Sequence, residues 1–198
     1  MTTAQDYSIE RLADRAQIQD VMLRWCRAID RLDYEGIRSV FHPDAIDVHG
    51  IYNGGVDGLI EWIRGRHKTI PSSMHNVTNM LIEFAGADTA LAETYCFAIQ
   101  RYPADGGPSL AAPAGAQAGK NAGKKAAAID LMGCARYVDR FERREGEWRI
   151  AHRTVVFDSW IMHEVSEDTP KMGADWTVGR RDRRDPVYLA RAALGLID

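Results

Sequence analysis

The chain has 198 residues, of which 45% are hydrophobic and 27% charged, with a net charge of −3. That length supports one buried core with additional segments and is short for two domains. The slight acidity and the 9% aromatic content argue against a nucleic-acid binder and against a disordered chain, and they fit a small neutral or apolar partner better.

From a Ser8 N-cap, the residues Ile9, Leu12, Ala16, Ile18, Val21, Met22, Trp25, Ile29 and Leu32 recur at helical spacing, which predicts one long amphipathic helix ending near Leu32. Asp33-Tyr34-Glu35 opens a short second helix through Val40 and Phe41, which His42-Pro43-Asp44 stops. Leu59, Ile60, Trp62 and Ile63 form the buried stripe of a third helix over residues 57–67. After Pro71 the pattern turns to strands: residues 74–84 and 89–101 read as a long hairpin about Ala85-Gly86-Ala87-Asp88, and 129–143 pairs with 148–157 through Arg144-Glu145-Gly146-Glu147. Helices first and long antiparallel strands second is an α+β order and not a doubly wound one.

Residues 102–126 are rich in Pro, Ala, Gly and Lys and lack periodicity, so they read as an insertion between two strands, either a lid over a pocket or a silent loop. The tail carries Arg180-Arg181-Asp182-Arg183-Arg184-Asp185 and then the apolar run around Tyr188-Leu189-Ala190, which suits a short terminal helix docking on a neighbouring subunit. The expected organisation is a domain over 8–160 and a C-terminal extension over 161–198. Cys26, Cys96 and Cys134 form no C-x-x-C pair, so neither a zinc cluster nor a disulfide framework is indicated and a cytoplasmic setting is expected. No secretory leader and no membrane span is read in the sequence.

Three side chains stand out for chemistry. Asp30 ends the first helix on the flank of its apolar stripe, where it faces either a cavity or a surface pairing with Arg27 or Arg31. His75 starts a long strand, and period-two alternation puts it with Val77, Asn79 and Leu81 on one face. A lone histidine is more often structural, yet a neutral imidazole oriented by a carboxylate is the simplest general base at neutral pH. Arg153 alternates with Ala151, Val155 and Phe157, and a guanidinium in that apolar row requires either a water-lined cavity or a salt bridge across the sheet, for example to Asp139 or Glu93. Trp25, Tyr34, Tyr52, Tyr95, Phe97 and Phe157, with Asn79, are the candidates for lining a pocket. The remaining histidines show no metal-ligand spacing, and neither a phosphate loop nor a G-x-S-x-G elbow occurs.

The succession Arg15-Ala16-Gln17-Ile18-Gln19-Asp20, Ala28-Ile29-Asp30, Phe41-His42-Pro43-Asp44-Ala45, Met74-His75-Asn76 and Tyr137-Val138-Asp139-Arg140-Phe141 through Trp148 resembles the SnoaL-like branch of the NTF2-like superfamily. Within that branch the likeness is to scytalone dehydratase, hexachlorocyclohexane dehydrochlorinase and the bile-acid dehydratases, over roughly residues 8–160. The resemblance implies a cone-shaped barrel, a curved and mostly antiparallel sheet wrapped around helices. It also implies an Asp30/His75 pair working without metal or organic cofactor, and Arg153 facing the same cavity. The implied reaction is an elimination on a small aromatic or other hydrophobic compound, with loss of water, halide or formaldehyde, as from a diaryl or lignin-like compound. Alternatives within the superfamily are a ketosteroid-isomerase-like proton shuttle and a noncatalytic subunit like the small subunit of ring-hydroxylating dioxygenases. A homotrimer or homodimer is expected.

Overall fold

Ser8 caps the first helix, α1 (Ile9–Arg31), by accepting from the Arg11 N–H at 3.2 Å; the computed structural model describes residues 7–104 and 127–196 of the chain. Leu32 closes the helix in the left-handed region at φ 52°. The buried face departs from the expected stripe in the first turns. Ile9, Leu12 and Ala16 face solvent, and Asp14 takes the inward position, where it accepts from Arg11, Arg143 and the indole N–H of Trp148. From Ile18 onward Val21, Met22, Trp25 and Ile29 are buried, and Asp30 is buried with them.

Asp33 caps the second helix, α2 (Tyr34–Ser39), which ends before the predicted Val40 and Phe41. The segment read as a helix stop is instead a strand. It forms β1 (Phe41–His49), which continues as β2 (Tyr52–Gly55) through a turn at Gly50, φ 65°. Pro43 is tolerated because the ladder to the neighbouring strand shifts register between Phe41 and Ile46, so no N–H is required of it. Helix α3 (Val56–Arg66) follows, buried through Val56, Leu59, Ile60 and Ile63, with Trp62 only half-buried.

Four long strands complete the sheet: β3 (Ser72–Phe84), β4 (Thr89–Tyr102), β5 (Ile129–Arg144) and β6 (Glu147–Glu164). The β5–β6 turn takes positive φ at Glu145 and Gly146, 52° and 84°, the geometry that matches strand twist. Strand β6 runs seven residues past its expected end at 157, through Trp160 to Glu164. The six-stranded sheet has the order β2-β1-β6-β5-β4-β3, with β1 and β6 parallel and all other pairs antiparallel. Its edges, β2 and β3, do not pair, so the sheet curves without closing. Ile18, Met22, Trp25 and Ile29 of α1 pack with Phe41, Ile82, Tyr137, Phe141 and Ile150 as the core.

A bulge in β3 between Val77 and Met80 resets the alternation. Val77, Met80 and Phe84 turn to the core, while Asn79 and Leu81 are exposed on the other face and do not share a side with His75 as the period-two reading held. The tail folds back onto its own chain. Arg183 reaches Asp33 at 2.9 Å, Arg31 reaches Asp185 at 3.2 Å, and α4 (Pro186–Ala193) buries Tyr188, whose hydroxyl donates to Asp33 at 3.0 Å. The terminal helix therefore seats on its own α1–α2 junction through Tyr188, with Leu189 exposed. The bulk of the 102–126 insertion lies outside the described residues; Tyr102 itself is the buried end of β4. No helix among the described residues is long and apolar enough to cross a membrane.

Candidate active site

The C-terminal end of α1 lies against the start of β3, and that crossing brings Asp30 to His75. Nδ1 of His75 is 2.7 Å from Asp30 Oδ1, and the backbone N–H of His75 donates to Oδ2 at 2.9 Å. The Ser73 hydroxyl, two residues earlier on the same face, donates to Oδ1 at 3.0 Å. One carboxylate thus receives three hydrogen bonds from a single strand. With the Nδ1 proton given to Asp30, the free lone pair of the neutral ring belongs to Nε2. Nε2 has no hydrogen-bond partner among the described residues, and both side chains keep 8% of their surface accessible.

Behind the pair lies a buried polar chain. Gln100 donates to the Ser73 hydroxyl at 3.4 Å and accepts from Arg66 at 3.1 Å and from the Tyr102 hydroxyl at 2.7 Å. Arg66 also touches Nε2 of His67 at 2.7 Å, and Arg181 from the tail touches its Nδ1 at 2.9 Å. Burial, then these two cations, holds His67 well below the usual histidine range. Arg181 further donates to the carbonyls of Ile29, Asp30 and Ile70, each within 3.0 Å. It neutralises the carbonyl end of α1 directly behind Asp30.

Arg66 also lines an aromatic pocket of about 210 Å³, together with His49, Gly50, Ile51, Trp62, Phe157 and Trp160. Phe157 stacks on Trp160 at 5.2 Å between ring centroids, and Tyr52 stacks on Trp62 at 5.8 Å. Gly133 permits this wall, since a Cβ there would come within 2.7 Å of the Trp160 ring. Neither Asp30 nor His75 lines this pocket, and neither lines a larger polar groove of about 590 Å³ between α2, β1 and α3.

The other expected site residues fall in three places. Phe157 lines the aromatic pocket, Tyr52 backs it through Trp62, and Tyr34 is half-buried under Arg64 at 4.1 Å. Tyr95 and Phe97 are exposed on the outer face of the sheet beside Arg136 and Asp158, because Thr94 and Cys96 occupy the inward positions of β4. Asn79 is exposed within the β3 bulge. Trp25 is core, edge-on to Phe41 at 5.6 Å and to Tyr137 at 6.3 Å. Arg153 has no accessible surface. Its Nε and Nη2 bind Asp139 at 2.8 and 2.7 Å, and its guanidinium lies 4.2 Å from the Tyr137 ring and 4.6 Å from Trp25. The salt-bridge alternative describes it, and the cavity-facing position implied by the resemblance is corrected. Burial pushes the Asp139 carboxyl upward while Arg153 stays protonated.

The reading of the sequence did not single out Ser73, Gln100, Arg66, His67 or Arg181, nor His49 and Trp62 as pocket walls. Only Ser73 had a usable local signal, its period-two relation to His75. No group of three or more His, Cys, Asp or Glu side chains among the described residues converges in a way that would hold a metal ion.

The sequence profile of the SnoaL-like domain matches residues 10–154. Uncharacterized proteins of Mycobacterium tuberculosis and Mycobacterium bovis are 30% identical to this chain over 95 residues, 46% of this chain and 63% of theirs, so the match spans less than two thirds of those relatives. Among solved structures, a hexachlorocyclohexane dehydrochlorinase of Novosphingobium barchaimii is similar at TM-score 0.63 and 19% identity, covering 82% of this chain and 99% of that one. A scytalone dehydratase-like protein of Novosphingobium aromaticivorans is similar at 0.59 and 17%, covering 83% and 97%. A Mycobacterium tuberculosis protein of unknown function is similar at 0.57 and 20%, covering 96% and 91%. At these identities the likeness is one of fold.

Proposed function

The chain belongs to the SnoaL-like domain family of the NTF2-like superfamily, and from that premise we propose that it is a lyase acting by acid–base elimination on a small aromatic or otherwise hydrophobic compound. The observation that carries the reading is the 2.7 Å contact between His75 Nδ1 and a carboxylate already held by Ser73 and by the His75 backbone. Such a carboxylate fixes the imidazole in one tautomer and stabilises the imidazolium formed when Nε2 takes a proton. His75 removes a proton from substrate carbon, the electron pair forms a double bond, and a leaving group departs from the neighbouring carbon. Proton transfer alone balances this reaction, so it calls for no cofactor. With a hydroxyl proton as the target, the oxygen pair forms the carbonyl of formaldehyde, the C–C bond breaks, and its pair forms the double bond as the leaving group departs from the neighbouring carbon.

The reading draws support from the dehydrochlorinase and dehydratase among the similar folds, and from an aromatic pocket whose wall residue Arg66 joins the hydrogen-bond chain leading to Asp30. A ketosteroid-isomerase-like shuttle requires a free carboxylate base, and Asp30 is covered by three donors.

Mass-resolved turnover of a panel of aromatic alcohols, halides and diols tests the proposal, with the wild type beside His75→Ala and Asp30→Asn. Loss of water, halide or formaldehyde by the wild type is expected to fall by about 10²- to 10⁴-fold in both folded variants. Turnover that survives in both variants overturns the mechanism, and a product of unchanged mass points to isomerisation instead.

A further inference from the structure

Among the residues that line the aromatic pocket, only Arg66 carries a permanent charge; His49 is the other that titrates, and its Nδ1 faces Asp47 at 3.4 Å. Arg66 ends α3, and its guanidinium lies 5.6 Å from the ring centroid of Trp62, one helical turn back. Its hydrogen-bond partners among the described residues are all neutral: His67 for Nη1, and the Gln100 amide oxygen and the Tyr102 hydroxyl for Nη2. Burial opposes the charge of this guanidinium, and no carboxylate among the described residues offsets that cost.

The surrounding charges sharpen the imbalance. Arg181, the second buried guanidinium of the cluster, binds three backbone carbonyls and has Asp30 as its compensating charge. Asp30 is committed to Ser73 and His75, and it lies two hydrogen bonds away from Gln100. Both ring nitrogens of His67 face a guanidinium, Nε2 that of Arg66 at 2.7 Å and Nδ1 that of Arg181 at 2.9 Å. A neutral imidazole has one in-plane lone pair, so it accepts from one of the two and leaves the other donor unmet. The Nε–H of Arg66 is a further donor without a partner among the described residues. The cluster therefore holds more donors than acceptors and one cation more than its carboxylate balances. What the wall lacks is an anion with several lone pairs, delivered from the pocket side.

We propose that the pocket binds an aromatic carboxylate, with its ring among Trp62, Phe157 and Trp160 and its carboxylate on Arg66. A carboxylate is charged and accepts only, so it meets the free guanidinium donors with charge-assisted bonds, which are about twice as strong as neutral ones. The stacked rings of the wall receive the aromatic part. An amide of the same ring has the shape without the charge, and it brings N–H donors to a wall that already has a surplus. The aromatic compound of the lyase reading is thereby an aromatic acid; in that respect the inference rests on that reading, while the binding is measured without turnover.

Isothermal titration calorimetry with benzoate and phenylacetate, their amides, and acetate tests the proposal on the wild type, Arg66→Lys, Arg66→Met and Gly133→Ala. On the wild type the acids are expected to bind at least about tenfold more tightly than their amides, and benzoate at least about tenfold more tightly than acetate. Arg66→Met is expected to remove the preference for the acid, and Arg66→Lys to keep part of it. Gly133→Ala forces the Trp160 ring aside, since the added Cβ would come within 2.7 Å of it, and is expected to weaken acid and amide alike. That variant reports where the ring sits without touching Arg66. Amides that bind as tightly as the acids, acetate that matches benzoate, or an acid preference that survives Arg66→Met overturns the proposal. So does a Gly133→Ala variant that binds every compound as the wild type does, or a wild type that binds no aryl acid. Should Arg66→Met not fold, the wild-type selectivity and Gly133→Ala decide. Selective binding of the acids by a wild type that eliminates from nothing overturns the lyase reading and leaves this one standing; elimination from neutral compounds without acid binding does the reverse.

Discussion

Arg181 donates from Nε to the backbone carbonyl of Asp30 at 2.9 Å, from a position 151 residues further along the chain. The same guanidinium binds the carbonyls of Ile29 and Ile70 and touches His67. Burial brings Arg181 down to about 10, with Asp30 opposing the fall, so it remains a cation at neutral pH. The segment that supplies it lies beyond the residues matched by the family profile, which end at 154.

Arg181→Ala removes the cap on α1 and leaves three carbonyls to find other donors. The expected loss is about 2 kcal/mol, or roughly 4–8 °C in Tm for a chain of this size. At a temperature well below the new Tm, kcat is expected to fall while KM changes little, because the end of α1 that holds Asp30 relaxes. Differential scanning calorimetry and steady-state kinetics check both parts. An unchanged Tm rejects the capping role, and an unchanged kcat rejects the positioning one.

Arg153→Met leaves Asp139 buried without its cation, and the expected cost is about 3–5 kcal/mol. Adding Asp139→Leu is expected to return part of that, the recovery being incomplete because Asp47 stays in the interior. Urea denaturation of the single and double variants reads the coupling directly. A single variant within about 1 kcal/mol of wild type contradicts the structural assignment of Arg153.

His67 gives a pH dependence whose sign follows from its burial between two guanidinium groups. In the unfolded chain it takes a proton near pH 6.5, and in the folded protein it does not until far lower pH. Below about 6.5 the unfolded state therefore binds more protons, and stability falls with falling pH by up to about 1.4 kcal/mol per pH unit from this group. Unfolding free energies at pH 5, 6 and 7 are expected to show a shallower slope for His67→Asn than for wild type. Equal slopes would mean that His67 protonates in the folded state as freely as in the unfolded one.

Much of the fold was legible because its signals are local. The Ser8 cap, the helical spacing from Ile18 to Leu32, and the two hairpins about Gly86 and Gly146 each depend on residues a few positions apart. Strands β1 and β2 were missed because Pro43 reads locally as a stop, and only the register shift against β6 makes room for it. Asn79 was placed on the wrong face because a bulge is a property of a pair of strands and not of one. Tyr95 and Phe97 were drawn inward by their size, although the interior of β4 takes the smaller Thr94 and Cys96.

The sequence by itself determined the order of the helices and of the four long strands, the family, and the residue types Asp30 and His75 on two elements that this fold brings together. Only the tertiary structure decided which charges meet. It paired Arg153 with Asp139, left Asp47 to His49, and brought Arg181 from the tail to the end of α1. Each of those pairings depends on strand register or on a chain that closes a long loop, and neither leaves a trace in the spacing of neighbouring residues.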